Sequence, residues 1–282
     1  MLADRKTATK GPSLRVLAIA GMLGVIGNFA LTQKLSTSVL VNPIKDQTFL
    51  NAMDAHRGVS DALRIVLLGD SRMWFGLKDD GAVSASLSDA LGRPVVIDSY
   101  FATNGEFLHF RNVIPQILDR QPDLLLVQSS LPFKEKTRSA RAKLNRDTLI
   151  EMAFFWSVNS QNNLRQRNTC GNVVMDADLA ANGGLSNISA TFTTDTKAYQ
   201  QTRDILMAVK QAGIPVALIA APEPRFGPLP LPADRGGIAP EIRPVATIPT
   251  KDYCDPIHVG TNGATIYTGA FVRALAQWLQ SQ

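Results

Sequence analysis

The chain has few of the residues on which metal-built and disulfide-built proteins depend. Its 282 residues include two cysteines and three histidines. Two cysteines exclude a scaffold held together by several disulfides and a zinc site made of cysteine alone. Three histidines leave little room for a histidine-rich metal site. We therefore expect neither a metal ion nor an organic cofactor.

Charge and hydrophobicity restrict the class of protein further. Hydrophobic residues make up 45% of the chain, charged residues 19%, and the mean hydropathy is +0.01. This composition is too apolar for intrinsic disorder and too polar for a protein with many membrane spans. The net charge is +5, but four basic and one acidic side chain lie within the first 15 residues. The nearly neutral remainder argues against nucleic acid as the partner.

One long apolar segment, residues 16–31, follows this basic stretch, and Asn28 is its only distinctly polar residue. We interpret residues 1–34 as a cytoplasmic tail with an uncleaved membrane anchor; a removed signal peptide and a buried helix are the alternatives. The positive-inside rule then places the following chain outside the cytoplasm, in the periplasm of a single-pass inner-membrane protein. Residues 35–60 are mixed and polar and are predicted to be a tether.

Residues 61–282 are predicted to form one domain in which short apolar segments alternate with helical patterns. Strands are predicted at residues 64–68, 94–98, 123–127 and 215–220. Helices are predicted at residues 81–92, 105–120, about 195–213, and from the N-cap Asn262 onward. The last helix has an apolar stripe of Ile266, Ala270, Leu275, Trp278 and Leu279. The alternation predicts an α/β fold with a mostly parallel sheet and helices on both faces.

Two stretches do not follow this alternation. Residues 131–194 are predicted to be an insertion, and six basic side chains lie between its residues 134 and 146. These form either a solvated helix face or a surface for an acidic or sugar-bearing ligand. Residues 222–249 contain eight of the sixteen prolines and predict a long, stiff loop over one end of the sheet. Outside the cytoplasm, Cys170 and Cys254 form either a disulfide or two independent buried thiols.

Ser71 closely follows the first predicted strand, at the carboxyl end of the strands, where ligands of parallel sheets bind. A serine nucleophile needs a base that removes its proton and a third group that orients the base. His56 precedes the domain and His109 falls inside a predicted helix, so His258 is the candidate base. Asp255, three residues earlier in a proline-containing turn, can reach Nδ1 while Nε2 points at the serine. A strand-end turn without catalytic function is the alternative.

Gly69-Asp70-Ser71, together with Asp255-Pro256-Ile257-His258, resembles the SGNH (GDSL-type) hydrolase superfamily. The resemblance implies a flavodoxin-like three-layer α/β/α sandwich and ester chemistry. It further implies that Ser71 is the nucleophile, His258 the general base and Asp255 the orienting acid.

The same resemblance implies an oxyanion hole with three donors. The N–H groups of Ser71 and Gly105 are two of them, the latter within Thr103-Asn104-Gly105. The family's Gly-x-Asn-Asp run is absent, and Gln128 or a nearby serine is expected to replace its asparagine as the third donor.

In lacking the Gly-x-Asn-Asp run, the chain resembles membrane-anchored members of the superfamily that transfer acyl groups to cell-surface polymers. We therefore expect that an acyl group, acetyl in particular, is transferred by way of an acyl-Ser71 intermediate to an exported polysaccharide. A membrane protein would deliver the acyl group. An extracytoplasmic esterase or deacetylase acting on an acylated carbohydrate is one alternative. A non-catalytic carbohydrate-binding or scaffold module of an envelope assembly is the other.

Overall fold

The computed structural model describes residues 42–59, 61–102, 105–155, 190–233 and 237–282. The predicted tail and anchor, residues 1–34, lie outside this part of the chain, as do residues 156–189 of the predicted insertion. Among the described residues, no helix combines the length and the apolar character needed to cross a bilayer.

Seven strands are described, and five of them form a parallel sheet. In chain order they are β1 (Leu63–Gly69), β2 (Val95–Phe101), β3 (Leu124–Gln128), β4 (Lys134–Lys136), β5 (Ala190–Phe192), β6 (Val216–Ile219) and β7 (Glu241–Ile242). The sheet has the order β2-β1-β3-β6-β7, and all of its pairings are parallel. β4 and β5 pair separately and antiparallel. The predicted mostly parallel α/β fold is confirmed, with the strand order of doubly wound flavodoxin-like sheets.

Helices cover both faces of the sheet. They are α1 (Pro43–His56), α2 (Ser71–Gly76), α3 (Asp80–Leu91), α4 (Ile114–Arg120), α5 (Arg138–Phe155), α6 (Lys197–Gln211) and α7 (Thr261–Gln280). Short 3₁₀ turns lie at Phe107–Phe110, Leu131–Phe133 and Thr250–Asp252. One apolar core joins the sheet to α1, α4 and α6, and a second joins it to α2, α3 and α7. In β1, Ile65 and Leu67 enter the second core while Val66 and Leu68 enter the first, which explains the continuous apolar run.

Residues 43–56 are not the polar tether that the sequence predicted. Asn42 caps α1 by accepting hydrogen bonds from the N–H groups of residues 44 and 45. The helix buries Phe49, Leu50 and Met53 in the first core. These three residues span little more than one turn of a mostly polar helix, so the sequence shows no sustained period. The packed domain therefore begins before residue 61.

Three further predictions need correction. Residues 105–120 form a 3₁₀ turn and α4 rather than one helix, because Pro115 has no N–H for a helix that would run through it. The last helix begins at Thr261 with Gly260 as its N-cap, and Ile266 is 36% exposed rather than buried in the stripe. The proline-rich segment contains β7, which completes the sheet.

Candidate active site

Ser71 is the first residue of α2 and follows the carboxyl end of β1, an interior strand of the sheet. Asp70 is the N-cap of this helix, and its Oδ1 accepts a hydrogen bond from the N–H of Arg72 at 3.0 Å. Gly69 must stay small, because a Cβ there would lie 2.9 Å from the ring of Phe101. Gly-Asp-Ser is therefore a tight strand-to-helix turn that places the serine at the carboxyl end of the parallel strands.

A chain of hydrogen bonds connects the three residues of the two motifs. His258 Nε2 lies 2.8 Å from Ser71 Oγ, and His258 Nδ1 lies 2.7 Å from Asp255 Oδ2. The other carboxylate oxygen, Oδ1, accepts hydrogen bonds from the N–H groups of Ile257 and His258, each at 2.8 Å. With its proton held on Nδ1, the imidazole offers Nε2 as the acceptor for the serine hydroxyl.

The electrostatics of Asp255 suit a group that stays ionised. Burial alone would raise the pKa of its carboxyl group. Hydrogen bonds from the His258 ring and the Ile257 N–H outweigh burial, so the pKa lies below its usual value. An ionised carboxylate at this position stabilises the imidazolium that forms when His258 takes a proton. The ring of Phe75 covers the imidazole, with 4.6 Å between the two centroids.

Backbone contacts hold the loop that carries Asp255 and His258. Tyr253 and Val259 form an antiparallel bridge across it. The proline-rich segment also contacts this loop, since the Arg225 N–H donates a hydrogen bond to the Pro256 carbonyl at 2.9 Å. The imidazole is therefore positioned by its own loop and by the segment that precedes it.

A disulfide adds to this support, because Cys254, one residue before Asp255, is disulfide-bonded. Cys170, the chain's only other cysteine, lies outside the described residues. A free thiol at Cys254 is thereby excluded.

Asp70 lies at the centre of a buried network that the sequence analysis missed. Its Oδ2 lies 2.8 Å from Lys134 Nζ, and its Oδ1 accepts a hydrogen bond from Gln128 Nε2 at 2.9 Å. Gln128 Oε1 in turn accepts the Asp70 N–H at 2.8 Å. Arg72 Nε lies 3.7 Å from Asp70 Oδ1, and Arg72 Nη2 donates to Ser130 Oγ at 2.5 Å. Burial would raise the pKa of Asp70, but the charges of Lys134 and Arg72 and the hydrogen bonds hold it well below its usual range.

The basic segment, residues 134–146, is only partly a solvated helix face. Lys134 and Lys136 lie in β4 and are buried, and burial together with the Lys134 charge lowers the pKa of Lys136 to about 8. Arg141 lies on α5, and its Nη2 is 2.9 Å from the Oε2 of the buried Glu106. Arg138 and Lys143 are exposed. The prediction of a solvated face is therefore wrong for the two lysines of β4.

The other two histidines have different surroundings. His56 Nδ1 lies 2.8 Å from Asp98 Oδ1, which ties the end of α1 to β2. His109 is 9% exposed, and its Nδ1 lies 3.0 Å from the backbone N of Glu106. Among the described residues, neither ring hydrogen-bonds to Ser71, so His258 is the histidine whose ring contacts the serine hydroxyl.

Comparisons with known proteins give matches among solved structures alone. No family model matches the chain, and no curated protein does. The similar structures are a lipase from a goat rumen metagenome, a lipase/acylhydrolase from Enterococcus faecalis, and a protein from Desulfitobacterium hafniense assigned to the lipolytic G-D-S-L family. The chain is similar to SGNH (GDSL-type) hydrolases.

These likenesses are distant. The two lipases are each 12% identical, with TM-scores of 0.39 and 0.38, and the alignments cover 76% of this chain and 97% and 96% of theirs. The third is 10% identical with a TM-score of 0.35, over 75% of this chain and 99% of that one.

Two of the donors that the SGNH resemblance implies for an oxyanion hole have other partners in the structure. The Gly105 N–H donates to the Ala102 carbonyl at 2.8 Å. The Gln128 amide donates to Asp70 Oδ1 and to Ser130 Oγ, each at 2.9 Å, so both of its hydrogens are engaged. Neither group is therefore available as a donor in this geometry, contrary to the prediction. The Ser71 N–H remains, because the first amides of a helix have no acceptor within it.

Ser130 offers a replacement for one of these donors. Its Oγ accepts hydrogen bonds from Gln128 and Arg72, which leaves its own O–H for another acceptor. Of Gln128 and Ser130, the serine is therefore the one that keeps a hydrogen to donate.

Proposed function

We propose that this chain is a serine enzyme of the SGNH type that transfers an acyl group from an ester to a hydroxyl through acyl-Ser71. The observation that carries the proposal is the hydrogen-bonded chain from Ser71 Oγ through the His258 ring to Asp255, with distances of 2.8 and 2.7 Å. A turn of purely structural importance needs no imidazole at its serine and no carboxylate behind that imidazole.

The proposed reaction has two halves that use the same groups. Ser71 Oγ attacks the ester carbonyl carbon while His258 Nε2 takes the hydroxyl proton, and the Ser71 N–H stabilises the oxyanion that forms. The bond to the leaving alcohol then breaks, and the imidazolium returns the proton to that oxygen. In the second half His258 takes a proton from the acceptor hydroxyl, whose oxygen attacks the acyl carbon. Ser71 leaves with the proton restored.

The acceptor is the finer part of the proposal. We propose that it is a hydroxyl of an exported polysaccharide, that the acyl group is acetyl, and that a membrane protein supplies it. The predicted anchor in residues 16–31 supports this, because an anchored enzyme stays close to nascent polymer and to a membrane-bound donor. An esterase or deacetylase would use the same three residues with water as the acceptor.

A second candidate is a non-catalytic carbohydrate-binding or scaffold module. The observation that favours it is the engagement of Gly105 and Gln128, two of the three expected oxyanion donors, with other groups. Loss of a single such donor costs roughly 10²- to 10³-fold in rate.

Labelling with a fluorophosphonate probe separates these candidates. The full chain is expected to label at Ser71, Ser71→Ala is expected not to label, and the exposed Ser139→Ala serves as the matched control. A folded wild-type chain that never labels would support the scaffold. Single-turnover reaction of a small acetyl ester with an oligosaccharide then identifies the acceptor, because transfer yields acetylated oligosaccharide and hydrolysis yields only acetate.

A further inference from the structure

A cavity of about 400 Å³ lies, like Ser71, at the carboxyl end of the parallel strands. Arg72, Ser129 and Ser130, which follow β1 and β3, line one part of it, and the proline-rich segment lines another. The contribution of that segment is mainly proline, alanine, leucine and other apolar side chains. Within the described residues, the lining does not include Ser71, His258 or Asp255.

Helix α2 separates this cavity from the imidazole. Ser71 and Phe75 are four residues apart on one face of the helix, and both contact the His258 ring. Arg72 and Gly76 are four residues apart on a different face. A Cβ at Gly76 would lie 2.5 Å from Pro222, which also lines the cavity. The cavity therefore borders helix α2 on a face that does not contact the His258 ring.

The Arg72 guanidinium has more hydrogen-bond donors than the protein uses. The residue is 8% exposed, and one of its five side-chain N–H groups donates to Ser130 Oγ at 2.5 Å. Its Nε lies 3.7 Å from Asp70 Oδ1, which is too far for a hydrogen bond. No other acceptor for this guanidinium occurs in the part of the chain that the structure describes. The remaining donors can bind an acceptor that enters the cavity, because Arg72 lines it.

Arg72 shares its nearest carboxylate, Asp70, with a second cation. Asp70 is bound more closely by Lys134, whose Nζ lies 2.8 Å from its Oδ2. The second arginine of the cavity, Arg243, is 67% exposed and pairs with Glu241 at 2.6 Å. Glu223, the remaining charged residue of the lining, is exposed to solvent. Arg72 is thus a buried cation whose nearest carboxylate, Asp70, is shared with Lys134.

We propose that this cavity binds an acidic group of the substrate, with its oxygen atoms on the Arg72 guanidinium. The planar fork of arginine matches the paired oxygens of a carboxylate or phosphate. The proposal rests on the proposed function and narrows it, because it makes the substrate an acidic saccharide rather than a neutral one. The proline and leucine side chains of the cavity would pack against the apolar parts of the sugar.

Calorimetric binding to full-length Ser71→Ala tests this without any acyl transfer. The ligands are trigalacturonate, neutral maltotriose and inorganic phosphate. Trigalacturonate is expected to bind most tightly, and adding Arg72→Met is expected to weaken it by about 10- to 100-fold, the loss typical of hydrogen bonds to a charged group. Arg72→Lys keeps the charge but loses the fork and should fall between the two. The control is Arg225→Met, which removes an exposed arginine of the proline-rich segment outside the cavity lining.

Three results would overturn the proposal. They are equal binding of trigalacturonate and maltotriose, unchanged binding in Arg72→Met, and phosphate binding as tight as that of trigalacturonate, which would indicate a site for free anions. If Arg72→Met does not fold, as judged by its melting temperature, the affinity of Arg72→Lys decides. Failure of the wild type to label with fluorophosphonate would reject the proposed reaction while leaving Arg72-dependent binding as a separate result.

Discussion

Replacing Lys134 with methionine tests whether the Asp70 network holds the nucleophile turn. Lys134 Nζ lies 2.8 Å from Asp70 Oδ2, and the two side chains are 7% and 3% exposed. Methionine keeps most of the side-chain length but removes the charge and the donors. Asp70 would then keep its negative charge in a buried site, with Arg72 at 3.7 Å as the remaining counter-charge.

The size of the effect follows from this geometry. Removal of one partner from a buried ion pair costs about 3 to 5 kcal/mol of unfolding free energy, because the other charge stays buried and uncompensated. Arg72 and the Gln128 amide still contact Asp70 Oδ1, so we expect the lower end, about 3 kcal/mol or roughly a hundredfold in the folding equilibrium. Adding Asp70→Asn removes the uncompensated charge, and the double variant should regain at least half of the loss.

Urea denaturation of the full chain, followed by tryptophan fluorescence at neutral pH, measures these differences. Lys143→Met removes an exposed lysine of the same basic segment and should change stability by no more than about 0.5 kcal/mol. A loss below about 1 kcal/mol in Lys134→Met would refute the importance of the pair. So would a double variant less stable than the single one.

Three other changes test the site and its surroundings. His258→Ala should lower turnover of an acetyl ester by roughly 10⁴-fold or more with an unchanged circular dichroism spectrum, and an equal loss in His56→Ala would remove the assignment of the base. Gln128→Leu should lower kcat by about tenfold and stability by about 2 kcal/mol, because Asp70 loses both amide contacts; unchanged kcat would make this residue structural alone. Burial lowers the pKa of His109 to about 4 from 6.5, so the unfolded chain binds a proton in this range that the folded chain excludes. Stability should therefore be full above pH 6.5 and fall by about 3 kcal/mol as the pH drops to 4. His109→Asn should lack this fall, and parallel pH curves for the two chains would contradict the reasoning.

The parts of the fold and site that the sequence predicts are those governed by local pattern. The strand β1 is recognisable because its residues 65–68 alternate between two cores and are therefore all apolar. The pairing of Asp255 with His258 needs only a three-residue turn. The contact of His258 with Ser71 follows from sheet topology, because the turn after β1 and the loop before α7 both lie at the carboxyl end of the parallel strands.

The parts that depend on distant partners could not be predicted in this way. Helix α1 contributes three apolar core residues from the middle of a mostly polar sequence, and its stability comes from the sheet that they cover. The burial of Lys134 depends on Asp70, which lies 64 positions earlier in the chain. A run of six basic residues indicates a solvated helix on average, and nothing in the run itself marks the lysine that has a buried partner.

Gln128 shows why a family motif does not transfer one residue at a time. Gln128 is the last residue of β3, and its prediction as an oxyanion donor followed from the resemblance to the SGNH superfamily. The glutamine side chain instead lies parallel to the Asp70 peptide, so that its oxygen accepts the Asp70 N–H and its nitrogen donates to the Asp70 carboxylate. A donor that is committed to the nucleophile turn cannot also serve the oxyanion, and the Ser130 hydroxyl two residues later is left with a proton to give. The amide at this position therefore holds the Asp70 side chain and backbone, and the neighbouring hydroxyl is the group to test for direct contact with the substrate.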